Sequence, residues 1–271
     1  MEYREETKNC QNCKQDFTID PDDFGFYEKI KIPPPTFCPL CRAQRRFSFR
    51  NERKLFRVKD AFTDKDIFSL FPEKSNRKVV TQEEWNGDSW DAMEYGRDID
   101  FSKPFLEQIL ELEKEIPIYN LNSKFMVNSP YSGNATGLKN CYLCFNSNFL
   151  ENCMYGNGVD HSKDCIDNSH INHSEKCYEC FWMQNCYQCY FTLLSADSRN
   201  LWFCRDCIGC NDCFGSINLR KSSYCIFNKQ YTKENYQKEI EKMCLYTTSG
   251  IKEAQGKART FWKTQPLKCI Q

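Results

Sequence analysis

CYLCFNSNFLEN-CMYGNGVDHSKD-CIDNSHINHSEK, residues 141–176, puts a cysteine at the head of each block of twelve. The track continues through Cys177, Cys189, Cys213 and Cys225, and only Leu201 breaks it. All thirteen cysteines from Cys141 to Cys225 fall on positions divisible by three. A fixed period is the mark of a repeat architecture. An inward residue at every third position, four times per block, describes a four-sided coil, since a helix needs a period of 3.6 and a flat strand a period of 2. Three residues per side at ~3.3 Å each give sides of about 10 Å. Such a bore admits small groups and an occasional Leu, Ile or Met. Free cysteine packs as a small hydrophobe, so the thiols are expected here for their volume.

Columns 1, 4, 7 and 10 of the block are small or apolar in nearly every repeat. Column 12 is polar: Asn140, Asn152, Asp164, Lys176, Gln188, Asn200 and Asp212. Column 2 is bulky: Tyr142, Met154, Ile166, Tyr178, Tyr190, Trp202, Phe214 and Ile226. Stacked coils pair as parallel strands ~4.8 Å apart. The expected class is mainly β, with a parallel β-solenoid of about eight 12-residue four-sided coils over residues 129–230. The outward column 2 ladder needs cover, from the N-terminal half or from a partner. Thr232 and the charged run after it start a helix, the expected C-terminal cap within residues 231–271.

Cys10-Gln-Asn-Cys13 and Cys38-Pro-Leu-Cys41 are two CxxC knuckles. Four thiolates in two such pairs suit tetrahedral Zn²⁺ at a closed structural site. Residues 1–60 are therefore expected to form a zinc-ribbon or treble-clef module with Cys10, Cys13, Cys38 and Cys41 as ligands. The stretch between the knuckles reads as a short hairpin or extended loops. After Cys41, Arg42, Arg46, Arg50, Arg53 and Arg57 are spaced to share one helix face, with Arg45, Lys54 and Lys59 beside them. Phosphates would take that charge, and Phe47 or Phe49 would stack on bases. Nucleic acid is thus the first expected partner. The competing expectation is docking within the chain, because residues 83–115 carry eleven acids against three basic residues.

Residues 61–128 read as an acidic aromatic connector. Ser102 is expected to cap a helix with Pro104 just inside and Pro117 ending it. Trp85, Trp90, Tyr95 and Phe101 are expected to pack on the column 2 ladder. Asp88, Asp91, Asp98 and Asp100 are a candidate Mg²⁺ cluster, with turn and capping roles the commoner use. The only histidines are His161, His170 and His173. His161 and His173 share a column and should stack about 5 Å apart. Cys204, Cys207, Cys210 and Cys213 should point inward from consecutive sides, where a second metal would fit.

The chain has 271 residues, 37 basic and 37 acidic, so its net charge is zero. Overall charge therefore does not mark it as a polyanion binder. No apolar run follows Met1, and no stretch approaches the length of a membrane span. An odd count of 19 cysteines in solenoidal spacing is expected to stay reduced, in the cytoplasm. No phosphate loop, nucleophile elbow, HExxH or dinucleotide fingerprint is present.

The strings CPLCRAQRRFSFRNERKLF, WDAMEYGRDIDFSKPF, NCYLCF and DCFGSINLRKSSYCIFNKQYTKENY together resemble an uncharacterised cysteine-rich family of ultra-small candidate-phyla bacteria. The resemblance spans nearly the whole chain and implies no activity. Leu201, and Ser216 where a further cysteine would be expected, depart from a pattern in which every thiol is a ligand. The coil length also resembles that of insect antifreeze solenoids, but no outward Thr column exists here, so ice binding is not expected. The sequence thus points to a non-enzymatic zinc protein binding nucleic acid. A protein-interaction module using the aromatic ladder, or a metal or thiol enzyme, stands as an alternative.

Overall fold

The computed structural model describes residues 4–48, 51 and 53–266. Phe49 and Arg50, on which base stacking and a phosphate contact were expected, lie outside the described residues, as do residues 267–271. The chain divides into two units, Met1–Asn51 and Glu52–Gln271. Among the described residues no helix is long and apolar enough to cross a membrane.

In the first unit, β1 (Glu6–Asn9) and β2 (Asp16–Ile19) form an antiparallel hairpin around the first knuckle. The stretch expected as a short hairpin or extended loops instead holds a helix, α1 (Pro21–Lys29). Its start follows from local chemistry: Pro21 sits in the first turn, Asp22 and Asp23 face the positive end of the dipole, and Lys29 stands in the last turn. Helix α2 (Pro39–Phe47) follows directly from the second knuckle.

The second unit opens on a hairpin of β3 (Phe56–Lys59) and β4 (Asp66–Ser69). Next come β5 (Lys78–Val80), α3 (Gln82–Asn86), α4 (Phe105–Glu115) and β6 (Pro117–Tyr119), with β5 and β6 parallel. Asp60 fixes this region. Its carboxylate accepts N–H groups from Phe62 (2.9 Å), Thr63 (3.0 Å) and Thr81 (2.7 Å), tying the hairpin turn to the end of β5. Burial would raise its pKa, but the amides of Thr63, Thr81 and Phe62 outweigh burial and lower it. Asp60→Ala leaves buried donors unmet and is expected to cost roughly 2 kcal/mol at neutral pH. A depressed carboxyl contributes stability above its unfolded value, and that contribution disappears as pH falls through the folded value. The gap in melting temperature between wild type and variant should therefore shrink below about pH 4. A gap independent of pH would mean that the carboxylate is not the stabilising group.

Two expectations for this stretch are corrected. Ser102 does not cap α4: it is drawn into a turn by Asp100, which accepts its N–H (2.9 Å) and hydroxyl (2.6 Å), and Pro104 takes the cap position. Trp85, Trp90 and Tyr95 pack on one another and on Tyr119 rather than on the ladder, and Phe101 is exposed. The ring that meets the start of the ladder is Phe68 of β4, against Tyr131, which in turn meets Tyr142. The acids of α4 find cations nearby, Arg77 for Glu113 and Arg97 for Glu115.

The rest is a parallel β-solenoid of about nine turns. The strands β7 (Ser123–Lys124), β8 (Gly133–Thr136), β9 (Phe145–Asn148), β10 (Asn157–Asp160), β11 (Ser169–Asn172) and β12 (Phe181–Gln184) form one sheet. A second sheet holds β13 (Arg199–Trp202), β14 (Asn211–Phe214), β15 (Ser223–Ile226) and a short antiparallel β16 (Lys229–Gln230). Register advances by twelve at each parallel pairing of the coils, as in Cys213↔Cys225. The extra turn over the expected eight arises because pairing begins at Ser123, in a coil that has no cysteine.

Corners explain the period of three. Columns 3, 6, 9 and 12 sit in the left-handed region, for example Tyr155 (φ 54°), Trp182 (57°), Phe149 (53°) and Asn152 (55°). That region costs an ordinary side chain about 1–2 kcal/mol, and Asn and Asp less. Column 12 is polar for this reason, and Asn128, Asn140, Asn152 and Asp164 further link in a chain of side-chain hydrogen bonds. Large residues at other corners are held by the coil ladder. Tyr155 N–H bonds Tyr142 O in the coil before (2.9 Å), and Tyr142 N–H bonds Cys153 O in the coil after (3.0 Å).

The bore is closed to solvent and lined by Cys, Ser, Leu and Ile, with Leu201, Cys204, Cys207, Cys210 and Cys213 all at 0% exposure. Its small residues do more than fill space. Cys144 Sγ donates to the carbonyls of Tyr142 (3.7 Å) and Cys153 (3.4 Å), and its N–H is accepted by Ser132 Oγ (3.1 Å). Ser147 Oγ likewise donates to Phe145 O (2.8 Å) and accepts from Val159 N (3.1 Å). The hydroxyls thus accept from inward-facing N–H groups of the next coil, and the thiol adds a second bond to carbonyls that the ladder already pairs.

Helices α5 (Lys233–Glu241) and α6 (Thr248–Lys263) follow, the first capped by Thr232 as expected. Their Tyr236, Ala254, Ala258 and Trp262 pack on Phe203, Phe214 and Ile226. Trp262 Nε1 donates to Gly215 O (3.2 Å). The cover expected of the N-terminal half is supplied on the last coils by these C-terminal helices.

Candidate metal centre

Backbone geometry draws the two knuckles together. The first turns tightly through Lys14 (φ 62°), with Lys14 N–H on Cys10 O and Cys10 N–H on Gln15 O. A hydrogen bond from Gln11 N–H to Thr36 O, and one from the Thr36 hydroxyl to Gln11 Oε1, pin the second segment beside it. Cys38 then caps α2, its sulfur accepting from Cys41 N (3.5 Å). The sulfurs of Cys10, Cys13, Cys38 and Cys41 all lie within 4.8 Å of one another. Cys13 and Cys38 are 3.8 Å apart. A tetrahedron with ~2.3 Å metal–sulfur bonds requires edges of about 3.8 Å.

The donor set is built for negative sulfur. Cys10 Sγ accepts from Cys38 N (3.2 Å), and Asn12 Nδ2 reaches Cys41 Sγ (3.3 Å). Burial would raise Cys10, yet the amides of Cys38, Cys13 and Asn12 bring it down to about 6. Cys13 behaves oppositely. The Gln15 amide favours its thiolate, but lost solvation and the sulfurs of Cys10, Cys41 and Cys38 push it up to about 11. Four crowded sulfurs resist ionising together unless a cation sits among them, which is what a closed metal centre supplies. Among the described residues, this is the group of three or more ligand side chains close enough to hold an ion.

No protein-family model matches this chain, and no curated protein matches it. Its chemistry has to be argued from its own geometry.

The expected Arg stripe is not one helix face. Helix α2 stops at Phe47, where Ser48 N–H closes on Gln44 O and the Ser48 hydroxyl takes Arg45 O (2.8 Å). Arg42, Arg45 and Arg46 are on the helix, Arg53 lies in non-helical chain, and Arg57 is on β3 with its guanidinium over Phe68. The alternation of β3, with Val58 buried between exposed Arg57 and Lys59, won over the helical spacing. Arg42 is half-buried and bonds Tyr27 Oη (3.2 Å), whereas Arg45 and Arg46 are exposed.

The other candidates resolve differently. Asp91 and Asp100 serve turns, on Met93 N and on Ser102. His161 and His173 stack at 4.8 Å, close to the expected spacing. No disulfide joins any of the described cysteines, and among them the bore cysteines do not close into a metal-sized group. Burial pushes the Cys180 thiol well up, the setting of an inert structural cysteine. Asn12 and Thr36 escaped sequence reading, because an N–H···S donor and a clasp between knuckles have no spacing rule.

Proposed function

We propose that the N-terminal unit is a structural zinc module that docks on nucleic acid, with the solenoid as scaffold. Zinc is the metal that four thiolates in a closed, mostly buried tetrahedral site select. The observation carrying the reading is that Arg45, Arg46 and Phe47 are consecutive and exposed at the end of the helix that the metal anchors. Arg45 stacks over Phe37, which stiffens it against α2. Arg45 and Arg46 take phosphate, and the Phe47 ring offers a stacking surface to an unpaired base. Arg53 and Arg57 extend the basic stretch in sequence, while Arg42 is used inside the unit.

The test is binding of single-stranded RNA and DNA by fluorescence anisotropy across salt concentrations. The double variant Arg45→Glu/Arg46→Glu should reduce the slope of log affinity against log salt by about 1.5 and weaken binding at least roughly tenfold. Its zinc content should equal that of the wild type. Unchanged affinity with intact zinc would exclude this surface as the nucleic-acid contact.

A further inference from the structure

A groove of about 680 Å³ runs along one side of the solenoid, far in sequence from the metal centre. It runs over columns 6 and 8 of successive coils, between Gly158 and Asn218. Residues one coil apart are ~4.8 Å apart, so the groove is about 24 Å long. Column 7 points into the bore beneath it, where Ile171, Met183 and Ser195 are buried.

Its chemistry is specific. Trp182 lies 60% exposed at the groove, an unusual place for an indole. Its ring stacks on His170 at 5.7 Å and 17°, and Phe181 meets both rings. The Ser169 hydroxyl engages His170 Nδ1 at 3.0 Å and so fixes the imidazole. One coil earlier the column holds Gly158, whose lack of a side chain keeps the far side of His170 open. Beside this aromatic platform stand Asp160, Asn172 and Gln184. Asp160 Oδ1 already accepts from Asn148 N (3.0 Å) and Nδ2 (2.9 Å). Asn172, next in the same column, is half-buried and lines the same groove.

Charge narrows the ligand. Asp206 is held by Arg220 through Oδ1 (3.1 Å) and its carbonyl, and the groove lining carries Asp160 and Asp206 beside Arg205, with no excess of positive charge. A polyanion finds no positive field here, and a lipid chain would strand the carboxylate and amides. A neutral ligand with one apolar face and a rim of hydroxyls satisfies both halves. The axial C–H bonds of a pyranose ring carry the partial positive charge that the face of an indole attracts. Its equatorial hydroxyls both donate to and accept from carboxylates and carboxamides. An extended β-linked glycan also advances by close to one coil spacing per sugar.

We propose that this groove is a binding site for a neutral, extended β-linked oligosaccharide, with Trp182 as the stacking platform and Asp160, Asn172 and Gln184 as hydroxyl partners. Like most ligand sites, it combines aromatic area with a few placed polar groups. The site is independent of the Arg45–Arg46 surface.

The test is isothermal titration of the full chain with β-1,4-linked hexasaccharides of glucose, xylose and N-acetylglucosamine, beside a heparin hexasaccharide and an oligothymidylate. At least one neutral hexasaccharide should bind. Trp182→Ala should weaken it roughly tenfold, the loss that follows from deleting one stacking ring. Trp182→Phe should retain most of the affinity, and Gln184→Ala should lose a few-fold. Both positions are exposed, so coil stability should hold, and a urea titration of each variant verifies this. Arg45→Glu/Arg46→Glu should bind the sugar normally, which separates this site from the nucleic-acid surface. The proposal is overturned if no neutral hexasaccharide binds, if binding is indifferent to Trp182→Ala, or if the anionic ligands occupy the groove in preference.

Discussion

Stripping the metal from the full chain with a strong chelator is expected to unfold residues 4–48 and leave the coils standing. The first unit has almost no other core. Its buried apolar cluster is Cys10, Phe17, Ile19, Cys38 and Cys41, so three of the five members belong to the candidate metal site. Helix α1 buries no residue, and α2 buries only Cys41. A structural zinc contributes on the order of 10–16 kcal/mol in small modules, far more than Phe17 and Ile19 supply by burial at ~1.5–3 kcal/mol each. Cys38→Ser should have nearly the same effect, because it removes one of the four sulfur donors while a serine still caps α2, so the loss reads the metal site and not the cap. The measurement is elemental analysis paired with limited proteolysis. Loss of one metal per chain should coincide with cleavage inside residues 4–48, while the fragment containing residues 123–230 persists. Protease resistance of residues 4–48 after metal loss would show that the unit folds without it.

The solenoid was legible because its constraint is one-dimensional. A bore with room for one small residue per side writes a period of three into the chain, and stacking writes a period of twelve. Cys141 through Cys225 display both. The first coils were harder to see, because Ser129, Ser132 and Ala135 fill the bore with no cysteine to mark the track. The metal ligands were legible for a similar reason: CxxC spacing is set locally by a tight turn or a helix start. The Arg stripe misled because spacing alone cannot tell how far a helix runs. Arg57 fits a helix face as well as it fits the outside of β3, and only the partner strand β4 decides between them. The groove at Trp182 was invisible for a different reason. His170, Trp182 and Leu194 occupy a corner column with no consistent chemistry, and their adjacency becomes meaningful only once coils stack.

Leu201→Cys restores the unbroken cysteine track, and it is expected to destabilise the protein by about 2 kcal/mol. A rule drawn from the repeat would predict the reverse. The physical argument runs through volume. Leu201 shares one coil with Cys204, Cys207 and Cys210, and all four are fully buried. One large and three small side chains fill that level, so shrinking the large one opens a cavity that the rigid ladder cannot close. Leu201→Ala should cost more, about 3–4 kcal/mol. Cys207 lies on the opposite wall, so Cys207→Leu should overpack the coil and cost roughly 1–3 kcal/mol. The double variant Leu201→Cys/Cys207→Leu moves the large group across the bore and conserves total volume. It should be more stable than the sum of its parts by about 1 kcal/mol. Urea unfolding followed by far-ultraviolet circular dichroism measures the four variants beside the wild type. If Leu201→Cys matches or exceeds the wild type, the coils require the thiol itself, and the bonds from Cys Sγ to carbonyls, rather than volume, govern the bore.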